Sequence, residues 1–195
     1  MPNYADINGR PMKKLQIQQY LRKLQLNDFE PAVNLATLTK LQDAHLKYIP
    51  YENFDCLNGK ITSLKRQDMF NKVIMHNRGG ICFELNGLYN WLLESLSFDV
   101  TSYSARFIDK METYQLRRHR VMCVALGDKR YLTDVGVNSE SPRVPLEITE
   151  GLIQSDGISQ YKFTRSEFWG WLLWQKERGK IWKRLFGFTE EPQID

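Results

Sequence analysis

The hydrophobic period of this chain changes once, near residue 98, and no other feature limits its fold as strongly. Before that point apolar residues recur every three or four positions. Ile17, Tyr20, Leu21 and Leu24 make one stripe, and Leu38, Leu41 and His45 make a second. Phe70, Val73 and Ile74 make a third, and Leu85, Leu88, Leu92 and Leu96 a fourth. Each stripe is one face of a helix. The spacing predicts helices over residues 12–26 and 37–48, the second stopped by Pro50. His45 is expected as a partly buried helix residue and not a ligand. Asn58-Gly59 reads as a turn with a short strand or extended piece reaching Leu64. A third helix, capped by Thr62 or Ser63, ends near His76-Asn77, and a fourth runs from Cys82 to the neighbourhood of Ser97.

After residue 98 the helical period stops and β-branched and aromatic residues take over. Strands are predicted over residues 100–107, 120–126, 130–135, 161–164, 169–175 and 181–188. Gly127-Asp128 makes a two-residue hairpin and Arg178-Gly179 the last turn. Residues 109–118 and 142–145 read as loops. Trp169, Trp171, Trp174 and Trp182 are expected as sheet core. Helices first and strands afterwards argue for an α+β architecture.

The totals are those of an ordinary globular chain: 195 residues, 42% apolar and 26% charged. A net charge of +4 fits an anionic small-molecule substrate. Basic residues are too dispersed for a nucleic-acid surface, and Arg117-Arg118-His119-Arg120, the densest group, reads as a solvated loop. Cys56, Cys82 and Cys123 are too scattered for a disulfide framework and suit a reducing compartment. No cysteine or histidine spacing matches a zinc site, so no metal is expected. Nowhere do eighteen apolar residues run together, and the first residues lack the apolar stretch of a signal peptide. A cytoplasmic protein without membrane contact is expected.

The chemistry centres on Arg78-Gly79-Gly80-Ile81-Cys82-Phe83-Glu84. Cys82 falls in the first turn of a helix, straight after two glycines. Unpaired N–H groups and the positive end of the helix dipole favour a thiolate there. Glycine lets a substrate approach the backbone closely. Two readings stand on this pattern alone: a nucleophile, or a buried cysteine capping a core helix.

A nucleophilic thiol needs a base and a group that orients the base. His119 stands at the start of one hairpin strand and Asp134 near the end of the other. With Gly127-Asp128 as the turn, His119 lies opposite Gly136 and Asp134 lies two residues away on the same face. A diagonal pair of that kind is within side-chain reach, about 7–8 Å apart at the backbone. Cys82, His119 and Asp134 thus form a candidate triad, with Asp134 fixing the imidazole.

The stretch from Arg78 through Glu84 to Leu88 closely resembles the nucleophile signature of the arylamine N-acetyltransferases. Ile49-Pro50-Tyr51-Glu52-Asn53-Phe54, Ala105-Arg106-Phe107, His119-Arg120-Val121 and the segment from Tyr131 to Gly136 follow in that family's order. The resemblance implies a helical unit over residues 1–97 that carries the nucleophile. An antiparallel β-barrel over residues 98–188 would carry His119 and Asp134. A cysteine-protease-like triad would sit at their junction, and residues 189–195 would be a polar tail. Relatives continue past Phe188 into a third α/β region that helps to form the donor and acceptor pockets. The resemblance therefore implies a shortened form.

It also implies a ping-pong reaction. Cys82 takes an acetyl group from acetyl-CoA and passes it to an arylamine, arylhydroxylamine or hydrazine, with no tightly bound cofactor. Arg78 and Glu52 would form a buried salt bridge supporting the cysteine loop. Phe83, Gly136, Val137, Asn138 and Phe54 would line the substrate pocket. Val137 and Asn138 stand where relatives carry Phe and Gly, which would reshape the acceptor side. The alternatives are a thioester hydrolase on the same triad and a low-activity relative that binds a ligand. Self-association through exposed barrel surface is a further expectation.

Overall fold

The computed structural model describes residues 10–108, 116–137 and 140–192. Five α-helices precede eight strands among these residues. Helix α1 spans Lys14–Lys23 and buries Tyr20 and Leu21. Helix α2 spans Leu35–Tyr48. Its cap is Asn34, whose side chain accepts the Thr37 N–H at 2.8 Å. The chain leaves the helical region at Ile49, the residue before Pro50. Helix α3 is one turn, Phe54–Leu57, and Gly59 makes the following turn with φ of +68°. The extended piece expected up to Leu64 is not a strand.

Helix α4, Arg66–Phe70, starts later than the Thr62 or Ser63 cap predicted for it, with Lys65 at its cap position. It runs directly into a π-helical segment, Asn71–Met75. Helix α5, Cys82–Ser95, is buried almost all round. A stripe alone would leave one face wet; this helix instead lies between the other helices and the sheet.

The strands are β1 Asp99–Phe107, β2 His119–Leu126, β3 Lys129–Thr133, β4 Leu146–Glu147, β5 Gln154–Ser155, β6 Ser159–Ser166, β7 Gly170–Glu177 and β8 Lys183–Pro192. They form one antiparallel sheet in the order β4-β3-β2-β1-β8-β7-β6-β5. The two edges are bridged by one side chain. Gln154 Oε1 accepts the Glu147 N–H at 2.7 Å, and Gln154 Nε2 donates to the Glu147 carbonyl at 2.9 Å. A side-chain amide thus stands in for a peptide group and nearly closes a barrel, which leaves little open edge. The short strands β4 and β5 had no pattern long enough to predict.

Alternation along the strands sends residues to two different cores. Val121 and Cys123 point into the barrel with Tyr103, Phe163, Phe186 and Phe188. Met122 and Val124 point out and join Leu85, Leu88 and Leu92 of α5 in the helical core. The four tryptophans divide as well. Trp171 is buried and Trp169 half-buried, whereas Trp174 and Trp182 are half-buried outside, beneath the Lys162 ammonium at 5.8 and 4.7 Å. Thr189 to Pro192, expected in a polar tail, instead complete β8. There Glu190 pairs with Arg130 and Arg165. No helix among the described residues is long and apolar enough to cross a membrane.

Candidate active site

Cys82 opens α5, and its side chain is almost fully buried. Its Sγ donates towards the Arg118 carbonyl at 3.5 Å. That places it beside the residue that follows, His119, the first of β2. The β2–β3 register pairs Met122 with Thr133 and Leu126 with Lys129, as the two-residue Gly127-Asp128 turn requires. Period-two alternation then puts His119 and Asp134 on one face. Their side chains meet with Nε2 2.7 Å from Oδ2.

The ring of His119 is fully buried between Phe107 and Phe186, with centroids 5.0 and 5.2 Å away. Burial disfavours its charged form. The Asp134 carboxylate opposes this by charge and hydrogen bond, and the Cys82 sulfur adds to the same side. Its pKa ends raised, to about 9. The Nδ1 atom is buried and has no hydrogen-bond partner within bonding distance among the described residues.

Asn86 is a component that the sequence reading missed. It lies four residues after Cys82, one helical turn along the same face. Its Nδ2 donates to Asp134 Oδ1 at 2.8 Å and to the Arg120 carbonyl at 2.5 Å. Its Oδ1 accepts the Val135 N–H at 2.8 Å. Asp134 Oδ1 also accepts the Gly136 N–H at 2.8 Å. One buried amide therefore ties the cysteine helix to β2 and to the segment that follows β3. The available signal was a polar side chain one turn from Cys82, amid the apolar Leu85, Leu88 and Leu92 of the same helix.

The glycines serve the packing of the cysteine loop. A Cβ on Gly79 would lie 2.0 Å from the Pro50 carbonyl oxygen, and one on Gly80 would lie 2.9 Å from the Glu84 carboxylate. The double glycine lets the cysteine loop pack against residues 50–52, where Tyr51 bridges to Gly80 and the Glu52 N–H donates to the Gly80 carbonyl. Gly136 is equally confined, since a Cβ there would lie 2.8 Å from the Cys82 Cα. Arg78 does pair with Glu52, at 2.8 Å through Nε and 2.6 Å through Nη2, and with Asp55 at 3.2 Å. The pair is not buried as expected, because the Arg78 side chain is 39% exposed.

The residues expected to line a pocket lie in different surroundings. Gly136 abuts Cys82, and Phe83 is half-buried beside it in sequence. Val137 is buried in the barrel cluster, with its N–H on Ser141. Phe54 lies on α3 and is 62% exposed. Asn138 and most of the loop expected over residues 109–118 fall outside the described residues.

A thiol at a helix start, an imidazole and a carboxylate on the adjoining hairpin define the class of Cys–His–Asp proteins built from helices and a near-closed barrel. The particular family follows from comparison with known proteins. The N-acetyltransferase family model matches residues 34–195, and the chain belongs to that family. It is 35% identical over 180 residues to an arylamine N-acetyltransferase of Mycolicibacterium smegmatis, covering 89% of this chain and 64% of that one. Against the arylamine N-acetyltransferase of Escherichia coli it is 30% identical, covering 84% of this chain and 59% of that one. The solved structure of the arylamine N-acetyltransferase from Salmonella typhimurium superposes with a TM-score of 0.86 at 26% identity, covering 93% of this chain and 65% of that one. The chain thus spans somewhat less than two thirds of the length of these relatives.

Proposed function

We propose that this chain carries the acyl-transfer centre of an acetyl-CoA-dependent N-acetyltransferase acting on arylamines, arylhydroxylamines or hydrazines. The observation that carries the reading is the His119–Asp134 pair set beside Cys82 at the start of α5. The names of the relatives supply the acetyl group and the arylamine and N-hydroxyarylamine acceptors, and the motif resemblance supplies acetyl-CoA and the hydrazines. Cys82, His119 and Asp134 are the catalytic residues in this reading.

With Asp134 beside it, His119 is an imidazolium at neutral pH and supplies the positive charge that a Cys82 thiolate needs. The thiolate attacks the acetyl carbonyl of the donor. The acetyl–sulfur bond of CoA breaks, and the departing CoA thiolate takes the His119 proton. The neutral imidazole then accepts a proton from the attacking amine as the acetyl–Cys82 bond breaks. Backbone N–H groups at the start of α5 stabilise the oxyanion in both halves. A nucleophilic thiol has to stay reduced, which favours the cytoplasm.

CoA release with and without an arylamine or hydrazine tests the proposal. Amine-dependent release is expected, with stoichiometric alkylation of Cys82 that acetyl-CoA prevents. Cys82→Ala should abolish both. Release that is independent of amine would assign a thioester hydrolase instead, and full transfer by Cys82→Ala would overturn the reading.

A further inference from the structure

We propose that Glu84 and Lys72 are positioning residues for Cys82: Glu84 holds the backbone that presents the sulfur, and Lys72 cancels the carboxylate charge that would oppose a thiolate. The inference rests on the reading of Cys82 as the nucleophile.

Helix α5 begins after Ile81, an aliphatic residue whose side chain makes no capping hydrogen bond. Glu84, in the first turn, reaches back instead, and its Oε2 accepts the Ile81 N–H at 2.9 Å. This is the reverse half of a capping box, and it fixes the peptide immediately before Cys82. The space it needs exists because residue 80 is glycine. A Cβ there would lie 2.9 Å from the same oxygen. The second glycine of the motif is thus explained by a carboxylate folded back over it.

That carboxylate is only 3% exposed, and an uncompensated buried charge is costly. Lys72 compensates it, with Nζ 2.7 Å from Oε1. Lys72 also meets Asp55 at 2.9 Å. Burial works against its charge, but the bonds to Glu84 and Asp55 outweigh this and raise its pKa. Lys72 lies in the π-helical segment, a form frequent at functional sites. Its carbonyl accepts the Arg78 N–H at 3.1 Å, so one residue grips the cysteine loop from both ends.

The charged groups around Glu84 are Lys72, with Asp55 and Arg78 behind it. Those around the Cys82 sulfur are His119, backed by Asp134, and Tyr51. Without Lys72 the first turn of α5, which presents Cys82, would carry an uncompensated negative charge two residues along the chain from the thiol. Without Glu84 the Ile81 peptide would lose its partner, and the turn its anchor.

Iodoacetamide labelling of Cys82 between about pH 5 and pH 9, read by peptide mass spectrometry, tests the inference, with the exposed Cys56 as internal reference. Lys72→Met should raise the midpoint of the labelling profile by about one pH unit. Glu84→Ala should slow labelling at neutral pH about tenfold. Glu84→Gln keeps an acceptor for the Ile81 N–H and should stay within about threefold of the parent rate. Circular dichroism confirms that each variant is folded; if Glu84→Ala is not, the other two variants decide. An unchanged midpoint in Lys72→Met, or Glu84→Gln as slow as a folded Glu84→Ala, overturns the inference and leaves the nucleophile reading intact. Parent Cys82 that labels no faster than Cys56 overturns both.

Discussion

His45 and His119 are each fully buried, one among the helices and the other at the end of the barrel. His45 sits between Tyr20 and Tyr89, with ring centroids 6.0 and 5.4 Å away, and neither ring nitrogen has a hydrogen-bond partner among the described residues. Burial alone acts on it and lowers its pKa to about 3. His119 is as dry, yet the Asp134 carboxylate reverses the outcome and holds its pKa at about 9. Desolvation is common to both sites, so the Asp134 carboxylate, with a smaller contribution from the Cys82 sulfur, accounts for the difference. A buried histidine becomes a proton carrier only where the fold sets a fixed charge against it.

The two rings also tilt stability in opposite directions with pH. The folded pKa of His45 lies below its ordinary 6.5, so the unfolded chain takes up the proton first. Its contribution is intact above pH 6.5 and is lost as pH falls towards 3. The folded pKa of His119 lies above 6.5. Its contribution is complete below 6.5 and is lost as pH rises towards 9.

The most severe way to break the contrast is Asp134→Asn, which leaves His119 buried without a charge partner. Acetyl transfer, followed by CoA release, should fall by about a thousandfold or more. The loss of stability between pH 6.5 and 9 should disappear with it. His45→Leu breaks the other side. Urea melts of the parent should show about 2 kcal/mol lost at pH 5 and about 4 kcal/mol at pH 3 through His45. The Leu variant should lack this acid-dependent loss.

Asn86→Ala sharpens the comparison, because Asp134 keeps its charge but loses its anchor to α5. Transfer should drop about ten- to a hundredfold, a positioning effect well short of that of Asp134→Asn. Tyr89→Phe is the mildest change. It removes the 3.4 Å hydrogen bond to the Leu38 carbonyl and should cost about 1 kcal/mol or less. The acid-dependent loss should survive it, since the ring still covers His45; a flattened profile in urea melts would show that the hydroxyl, not burial, controls that site.

Much of this was legible in the chain. The helix from Cys82 was readable because leucines recur on one face. The His119–Asp134 pairing was readable because a two-residue turn dictates strand register, and register dictates which side chains share a face. The π-helical turn at Asn71 carried no comparable signal, since five residues are too few for a period to show. Strands β4 and β5 were invisible for the same reason, being two residues each. The tryptophans misled because composition reports aromatic density but not which face of a strand each ring occupies.

Local order thus came from the sequence alone: the glycine pair, the helix that opens with Cys82, and the hairpin that aligns His119 with Asp134. These depend on interactions within a few residues or across one turn, and periodicity records them. Tertiary structure decided the rest of the site. Only packing brings Asn86 onto Asp134, sets Pro50 against Gly79, and folds Glu84 back over Gly80 towards Lys72. Those contacts join residues far apart in the chain or depend on space left by a missing side chain, and no period in a single sequence encodes either.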